Sequence, residues 1–193
     1  MNERTIRLAL AAVLLAACGE REVVTPAPLG QHRTPALADL PDTRTMGAGP
    51  VAATCNMRAE EVLERVNAAR GSARQCGRRH MPAAAPLKWD PALFAAASGH
   101  SVDMARRNYF DHRSPEGVNV SERVSASHYK WRSVGENLAG GSRSAAEAVQ
   151  AWVDSAEHCE NLMDAKFVDV AVACVQQPGT EWGTYWTMVL GRR

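Results

Sequence analysis

Hydrophobic residues recur at helical spacing in the central part of the chain and form dense runs near its end. Between residues 57 and 70, Val62, Leu63 and Val66 fall on one side of a helical period, with charged residues on the other. This pattern is typical of an amphipathic helix with one face in a protein core. Gly71 follows, and glycine is the residue at which such helices commonly end. The sequence therefore predicts a first helix over 57–70.

A longer second helix is predicted from its start signal. Asp90 is a favourable N-cap residue, and Pro91 suits the first helical position, where a missing N–H is harmless. We expect this helix to continue to about Arg107. Its buried face is predicted to contain Leu93, Ala96, Ala97, His100 and Met104. On such an apolar face, His100 is expected to be a core histidine bonded to the backbone rather than a ligand.

Two more helices and two strands complete the predicted elements. A short third helix is expected over 118–127, and Ser144 with Glu147 forms a capping-box pattern that opens a fourth. Two β-rich runs, 167–175 and 185–190, follow and are separated by turn-forming residues. Because the helices come first and the strands last, without strict alternation, the pattern predicts an α+β fold with helices packed on an antiparallel sheet.

The start of the chain has the pattern of a secretory signal. Arg4 and Arg7 give it a positive charge, and the apolar run over 8–17 is shorter than the roughly 20 residues that span a bilayer. Residues 15–18, Leu-Ala-Ala-Cys, resemble the bacterial lipobox, which implies that 1–17 is removed and Cys18 is acylated. The protein would then be lipid-anchored in the cell envelope, at an outer membrane or the cell surface. An ordinary signal peptide, with Cys18 left as a thiol, is the alternative.

Residues 18–54 differ in composition from the rest of the chain. They contain five prolines and no aromatic residue, whereas every Trp, Tyr and Phe lies further along the sequence. A segment of this kind buries too little apolar surface to offset the entropy of ordering. We therefore expect a disordered, Pro-rich tether over 18–54 and one globular domain over 55–193.

The charge balance excludes one class of partner. The full chain has a formal net charge of +1, and removal of Glu3, Arg4 and Arg7 with residues 1–17 takes away +1 and leaves zero. No basic stripe runs along the sequence for nucleic acid or for anionic lipid, so we expect no nucleic-acid partner and no charge-driven binding to anionic lipid. We expect the protein to be a monomer.

The cysteines predict disulfides. If Cys18 is acylated, four of the five cysteines remain, an even number in an exported and oxidising context. Four cysteines allow three pairings. Short loops favour Cys55–Cys76 and Cys159–Cys174, each expected to contribute about 3 kcal/mol in the entropic treatment.

Six blocks follow one another in order between residues 57 and 191. They are 67–70, 87–90, 100–105, 109–117, 134–139 and 151–163, followed by Tyr-Trp-Thr at 185–187. These blocks resemble those of the CAP domain, the fold of cysteine-rich secretory proteins, insect venom antigens and plant pathogenesis-related proteins. The resemblance implies an α-β-α sandwich with a central antiparallel sheet between helical layers.

The resemblance also implies a cleft lined by two histidines and two glutamates. His112 matches the first histidine and Glu136 the first glutamate. The eukaryotic positions of the second glutamate and second histidine are occupied here by Ser155 and Tyr185. The bacterial branch instead offers a nearby histidine in Ser-x-x-His-x-x-Asn, which is His158. The full set of four is therefore not present.

Three interpretations of this cleft remain open. His112 and His158, with Glu136, form a set that could hold Zn²⁺ or another divalent cation with one open position, although no cofactor is required. The cleft could instead be a polar, pH-sensitive surface, because histidine titrates near neutrality. In the third interpretation, Glu136 accepts backbone N–H bonds that pin the loop before Leu138.

Two functions of different classes follow. In the first, the protein is a binding module, for which the resemblance suggests a sterol, a fatty acid, or a protein or glycan at the cell surface. Trp131 and Trp182, in predicted loops, are candidates to line its groove. The alternative is a weak or metal-dependent hydrolase or peptidase. Ser155 and Tyr185 stand where the second glutamate and second histidine would be, and their presence argues against a hydrolase. The sequence around Ser114 also lacks the pattern of a nucleophile elbow.

Overall fold

The structure is a computed structural model that describes residues 53–193. The predicted signal peptide, the acylation site Cys18 and almost all of the predicted tether therefore lie outside the described residues. No helix within 53–193 is both long enough and apolar enough to cross a membrane.

The described chain alternates short strands with helices before ending in two long strands. Its elements are β1 Ala53–Thr54, α1 Ala59–Arg70, β2 Arg74–Cys76, β3 Arg79–Met81, β4 Lys88–Trp89, α2 Pro91–Arg107, α3 Val120–Ala126, β5 Ser133–Gly140, α4 Ala145–Asp154, α5 Ala156–Met163, β6 Asp169–Gln176 and β7 Thr184–Arg192.

Local capping explains where α2 and α3 begin. The Asp90 carboxylate accepts hydrogen bonds from the backbone N–H groups of Ala92 and Leu93 and so satisfies two free donors of the first turn of α2. Asn119 and Glu122 form a complete capping box at the start of α3. The predicted starts of the second and third helices are confirmed to within two residues.

The fourth predicted helix is divided in two. The Ser144 hydroxyl accepts from the Glu147 N–H as expected, but the Glu147 carboxylate binds the Arg143 N–H and completes no box with Ser144. The helix stops at Asp154 because Ser155 is extended, with φ −90° and ψ 124°, and α5 starts directly afterwards. Cys159 therefore lies on α5 rather than on the fourth helix.

The main sheet has the strand order β1-β6-β7-β5, and all of these neighbours are antiparallel. β4 adds a two-residue parallel pairing to β6. The predicted strands β6 and β7 are confirmed, and they form the centre of the sheet. Strand β5 lies at an edge, paired along its whole length with β7.

Side chains on β6 and β7 alternate between two helical layers. One face packs against α1, α4 and α5 through Val170, Val172, Cys174, Trp186, Met188 and Leu190. The other packs mainly against α2 and α3 through Ala171, Ala173, Val175, Tyr185 and Val189. Helices therefore cover both faces of an antiparallel sheet, and the predicted α-β-α sandwich is confirmed.

The predicted disulfide pairing is wrong. The bonds are Cys55–Cys174 and Cys76–Cys159, which join residues 119 and 83 positions apart. The prediction relied on loop length, but the tertiary structure determines which cysteines are close enough to form a bond. The Cys55 N–H donates to the Cys174 carbonyl beside β1, and the hairpin β2–β3 places Cys76 against α5.

Candidate functional site

A buried carboxylate on β5 brings residues from three segments together. The Glu136 side chain is only 2% exposed. Its Oε1 lies 2.8 Å from Nδ1 of His112, in the loop after α2, and its Oε2 accepts from Nη2 of Arg123 on α3 at 2.7 Å. Both carboxylate oxygens are thus engaged by side chains. The interpretation that Glu136 pins a loop through backbone N–H bonds is wrong, and the residue lies in a strand.

Arg123 connects the three segments of this cluster through hydrogen bonds. Its guanidinium also donates to the carbonyl of His112 at 3.0 Å and to that of Val118 at 2.8 Å, so one side chain joins α3, the 112–118 loop and β5. Sequence reasoning missed Arg123, because nothing local distinguishes it from the other arginines on helix surfaces. We call His112, Arg123 and Glu136 the Glu136 cluster.

The cluster changes the acid–base behaviour of His112. The hydrogen bond to Glu136 raises the pKa of His112 above its usual value, against the opposing effect of partial burial. The Glu136 carboxylate lies between the Arg123 guanidinium and this imidazole. The arrangement therefore favours a protonated His112 and a fixed ion pair.

His158 approaches the same region from α5. Its pKa is lowered by burial and, secondarily, by the positive charge of His112, so the two imidazoles influence each other. The His158 carbonyl accepts from Nδ2 of Asn137 at 2.9 Å, and Asn161 donates to both Asn137 Oδ1 and the Glu136 carbonyl. This amide network, which the sequence analysis did not single out, ties α5 to β5 beneath the cluster.

Within residues 53–193, no hydrogen bond joins the remaining two candidates to the Glu136 cluster. Ser155 is the half-buried junction between α4 and α5, and its side chain caps neither helix. Tyr185 is fully buried among Met104, Leu138 and Val175, and its hydroxyl donates to the Asn108 side chain at 3.2 Å. Tyr185 is therefore part of the apolar core.

The donor set does not fit a metal ion. Within residues 53–193, no three His, Cys, Asp or Glu side chains are grouped as metal ligands. Both Glu136 oxygens are already bound, one of them by a guanidinium whose charge opposes a cation. The carboxylate that would complete the ligand set is therefore not available to a metal ion.

A pocket lies beside the cluster, between α2 and α3. Its volume is about 520 Å³, and Arg123 forms part of its wall. Open space above Gly99 helps to form it, since no atom outside the local helix backbone and the adjacent residues lies within 4 Å of where a Cβ would be. We call it the α2–α3 pocket; its lining residues are Ala95, Ala96, Gly99, His100, Asp103 and Arg107 from α2, Ser114, Glu116 and Val118 from the following loop, and Arg123, Ala126 and Ser127 from α3 or its end.

The charges around this pocket balance. Arg107 donates to both carboxylate oxygens of Glu116, at 2.8 and 2.6 Å, which lowers the pKa of Glu116 to about 2. Asp103 accepts from Arg107 and from the Tyr109 hydroxyl. With Arg123, the lining contains two carboxylates and two guanidiniums, so it favours neither a strongly anionic nor a strongly cationic ligand.

The prediction that His100 is a core histidine bonded to the backbone is confirmed. His100 is 1% exposed, its Nε2 lies 2.9 Å from the Asp111 carbonyl, and burial lowers its pKa. Its Nδ1 is buried without a hydrogen-bond partner among the described residues. A polar atom of this kind is uncommon in a folded protein, and His100 contributes to the lining of the α2–α3 pocket.

Comparison with known proteins gives one consistent family. The model of the cysteine-rich secretory protein family, CAP, matches residues 63–190. The chain is 29% identical over 155 residues to the uncharacterized protein YkwD of Bacillus subtilis, covering 80% of this chain and 53% of YkwD. It is 32% identical over 88 residues to the uncharacterized membrane protein YlbC of the same organism, covering 46% of this chain and 25% of YlbC. The chain thus spans about half or less of these relatives.

Solved structures agree on the fold. An extracellular Bacillus anthracis protein containing an SCP domain aligns with a TM-score of 0.56 and 25% identity, over 70% of this chain and 40% of that one. An outer surface protein of Borrelia burgdorferi aligns with a TM-score of 0.55 and 14% identity, over 74% of this chain and 98% of its own.

Proposed function

Since the chain belongs to the cysteine-rich secretory protein (CAP) family, we propose that it is an exported binding module whose α2–α3 pocket takes a small hydrophobic ligand of the sterol or fatty-acid kind. The observation that carries this proposal is the pocket. Its volume of about 520 Å³ falls within the range of small-molecule sites. Its apolar lining consists of alanine, glycine and valine residues, and its arginines are paired with carboxylates.

The Glu136 cluster supports binding over hydrolysis. A general base needs a free lone pair within reach of the group that it deprotonates. Glu136 has both oxygens engaged, and the raised pKa of His112 leaves less of its imidazole in the unprotonated form that a general base requires near neutral pH. Among residues 53–193, no Ser, Thr or Cys side chain hydrogen-bonds to His112. The cluster instead gives the pocket a rigid wall.

Export and anchoring form the second part of the proposal. The related Bacillus anthracis protein is extracellular, which supports the same compartment here. Two disulfides are also typical of exported proteins. We propose that 1–17 is a signal peptide, that Cys18 carries the acyl groups, and that 18–54 tethers the domain 55–193 to the cell envelope. Cys18→Ser then releases the protein into the soluble exported fraction, and a variant still wholly bound to membranes would contradict acylation.

The pocket is tested by filling it. Gly99→Leu places a branched side chain in the open space above α2, whereas Gly99→Ala adds one methyl group and serves as the matched control. Both replace a helical glycine and should retain or raise stability. Titration with a fluorescent fatty acid and a fluorescent sterol should show binding to wild type and Gly99→Ala, with a loss of at least roughly tenfold in Gly99→Leu.

Equal affinities in all three proteins would exclude the α2–α3 pocket as the ligand site. Binding of neither probe would remove the proposed ligand class. Hydrolysis of an ester or peptide substrate that is lost in His112→Gln would favour the hydrolase instead.

A further inference from the structure

One end of the main sheet collects positive charge from distant parts of the sequence. The register places Lys88 opposite Asp169, Asp169 opposite Gly191, and Ser133 opposite Arg192, so β4, β6, β7 and β5 all have a terminus at this end. Six exposed cations lie in or next to these termini. We call them the basic end: Lys88, Lys130, Arg132, Lys166, Arg192 and Arg193.

The nearby aspartates neutralise only part of this charge. Arg193 pairs with Asp90 at 2.5 Å, and Lys166 pairs with Asp164 at 2.7 Å. The third carboxylate, Asp169, accepts from the buried Tyr129 hydroxyl at 2.6 Å. These contacts use two of the six cations.

Four cations remain for a partner. Lys88, Lys130, Arg132 and Arg192 make no salt bridge with any residue in the described range 53–193. Among the described residues, the Arg192 side chain donates only to the Lys166 carbonyl, at 3.4 Å. The exposed cations at these strand ends therefore outnumber the carboxylates near them.

Exposed apolar side chains accompany these cations. Trp131 stands between Lys130 and Arg132 and is 40% exposed, with its indole N–H donating to Ser125 at 3.0 Å. Val168, beside the start of β6, is 43% exposed. Tryptophan and long cationic side chains together are typical of groups that settle at a membrane–water interface.

We propose that the basic end docks on an anionic phospholipid surface, with lysine and arginine on the headgroup phosphates and Trp131 at the interface. Four neighbouring segments at strand spacing make a patch about 15 Å across. A patch of this width can place its cations against a flat layer of lipid headgroups. A nucleic acid would instead require cations along a groove or stripe. This inference goes beyond the proposed pocket and does not depend on it.

The test uses the full exported chain with Cys18→Ser, so that an acyl group cannot contribute. Binding is measured by co-sedimentation with vesicles of phosphatidylcholine alone and with added phosphatidylglycerol, at low and high salt. The test variant is the triple substitution Lys130→Gln, Arg132→Gln and Arg192→Gln.

The control variant loses the same formal charge elsewhere. It is Arg58→Gln, Arg78→Gln and Arg106→Gln, which replaces three exposed cations before α1, in the β2–β3 turn and at the end of α2. A third variant, Trp131→Ala, tests the interfacial side chain. All three variants leave the buried core unchanged.

We expect binding to phosphatidylglycerol vesicles that weakens with salt and is absent from phosphatidylcholine. The test triple should lower the partition coefficient roughly 100-fold, since each cation near an anionic surface contributes about a factor of five. Trp131→Ala should lower it by less, and the control triple by less than about threefold. Equal losses in the two triples would overturn the proposal, as would binding to DNA or polyphosphate without binding to vesicles.

Discussion

The two faces of the central sheet are packed in different ways. On the α1, α4 and α5 face, large side chains interlock, including Trp152, Trp186 and Phe167, and both disulfides lie on this side. On the α2 face, Ala97 shares a core cluster with Ala171 and Ala173 of β6, so small side chains make up more of this layer, beside Leu93, Tyr129 and Val189. We call these the thick face and the thin face.

Both faces bury polar groups: Arg70 and Asn137 contact α5 on the thick face, whereas the buried polar groups of the thin face include the pocket-lining His100. Ser101 and Thr187 are fully buried and hydrogen-bonded to each other at 2.8 Å, and His100 and Glu136 are buried beside them. The pocket also lies on this side, whereas bulky apolar residues and covalent bonds stabilise the opposite side. If the pocket binds a ligand as proposed, stability rests mainly on the thick face and recognition on the thin face.

The largest expected effect is on the thick face. Replacing Cys76 and Cys159 together by alanine removes a bond that joins residues 83 positions apart. The denatured chain gains entropy, and we expect the free energy of unfolding to fall by about 4–5 kcal/mol. Urea denaturation of oxidised wild type and the double variant measures it. A loss below about 1 kcal/mol would show that the thick face does not depend on this bond.

On the thin face, the largest effect should come from Arg123. Arg123→Met leaves Glu136 buried with one partner, and loss of one member of a buried pair costs about 3–5 kcal/mol. Arg143→Met, which breaks an exposed pair with Glu147, should cost less than about 1 kcal/mol. Adding Glu136→Gln to Arg123→Met should restore part of the stability. A double variant less stable than Arg123→Met would contradict the ion-pair explanation.

A substitution on α2 tests whether the contact between this helix and the sheet has room for a larger side chain. Ala97→Leu adds three carbons where helix and sheet are in contact, and we expect a cost of about 1–3 kcal/mol from overpacking. Ala95 is the control, because it is exposed on the pocket side of the same helix. Ala95→Leu should be close to neutral in thermal denaturation. Equal effects at the two positions would show that α2 has room on its sheet side.

The smallest expected effect is the pH dependence of the stability that the His112–Glu136 pair contributes. Because Glu136 raises the pKa of His112, the protonated pair contributes its full stability below the unfolded value of 6.5, and this contribution is lost as the pH rises through the folded pKa. The stability difference between wild type and His112→Gln should therefore shrink above pH 6.5. NMR titration should also show the His112 pKa falling towards 6.5 in Glu136→Gln. An unchanged pKa would mean that the contact is absent in solution.

Local signals account for what could be predicted from the sequence. Helix α2 has its cap, its proline and its periodic apolar face within one continuous segment, and the long apolar runs identified β6 and β7. Strand β5 has no comparable signal, because Gly135, Glu136 and Asn137 are unfavourable strand residues. Its pairing with β7 and its packing hold it in place. A Cβ on Gly135 would lie 2.6 Å from the Asn161 side chain.

The candidate site was predictable only in part, for the same reason. His112 and Glu136 were identified through resemblance to a family pattern, and they do meet. Arg123 completes the cluster from a helix whose sequence gives no indication of a buried ion pair. The disulfide pairing and the basic end likewise depend on which distant segments the fold brings together.

The Cys55–Cys174 bond also has a mechanical consequence. A pull on the chain ahead of residue 53 is applied first to β1, a two-residue strand that would peel away under little force. Immediately after β1, the load passes through a covalent bond to Cys174 on β6, between β1 and β7 in the sheet. Shear or drag on a tethered domain would thus be carried by the centre of the sheet, and neither face would need to unfold first.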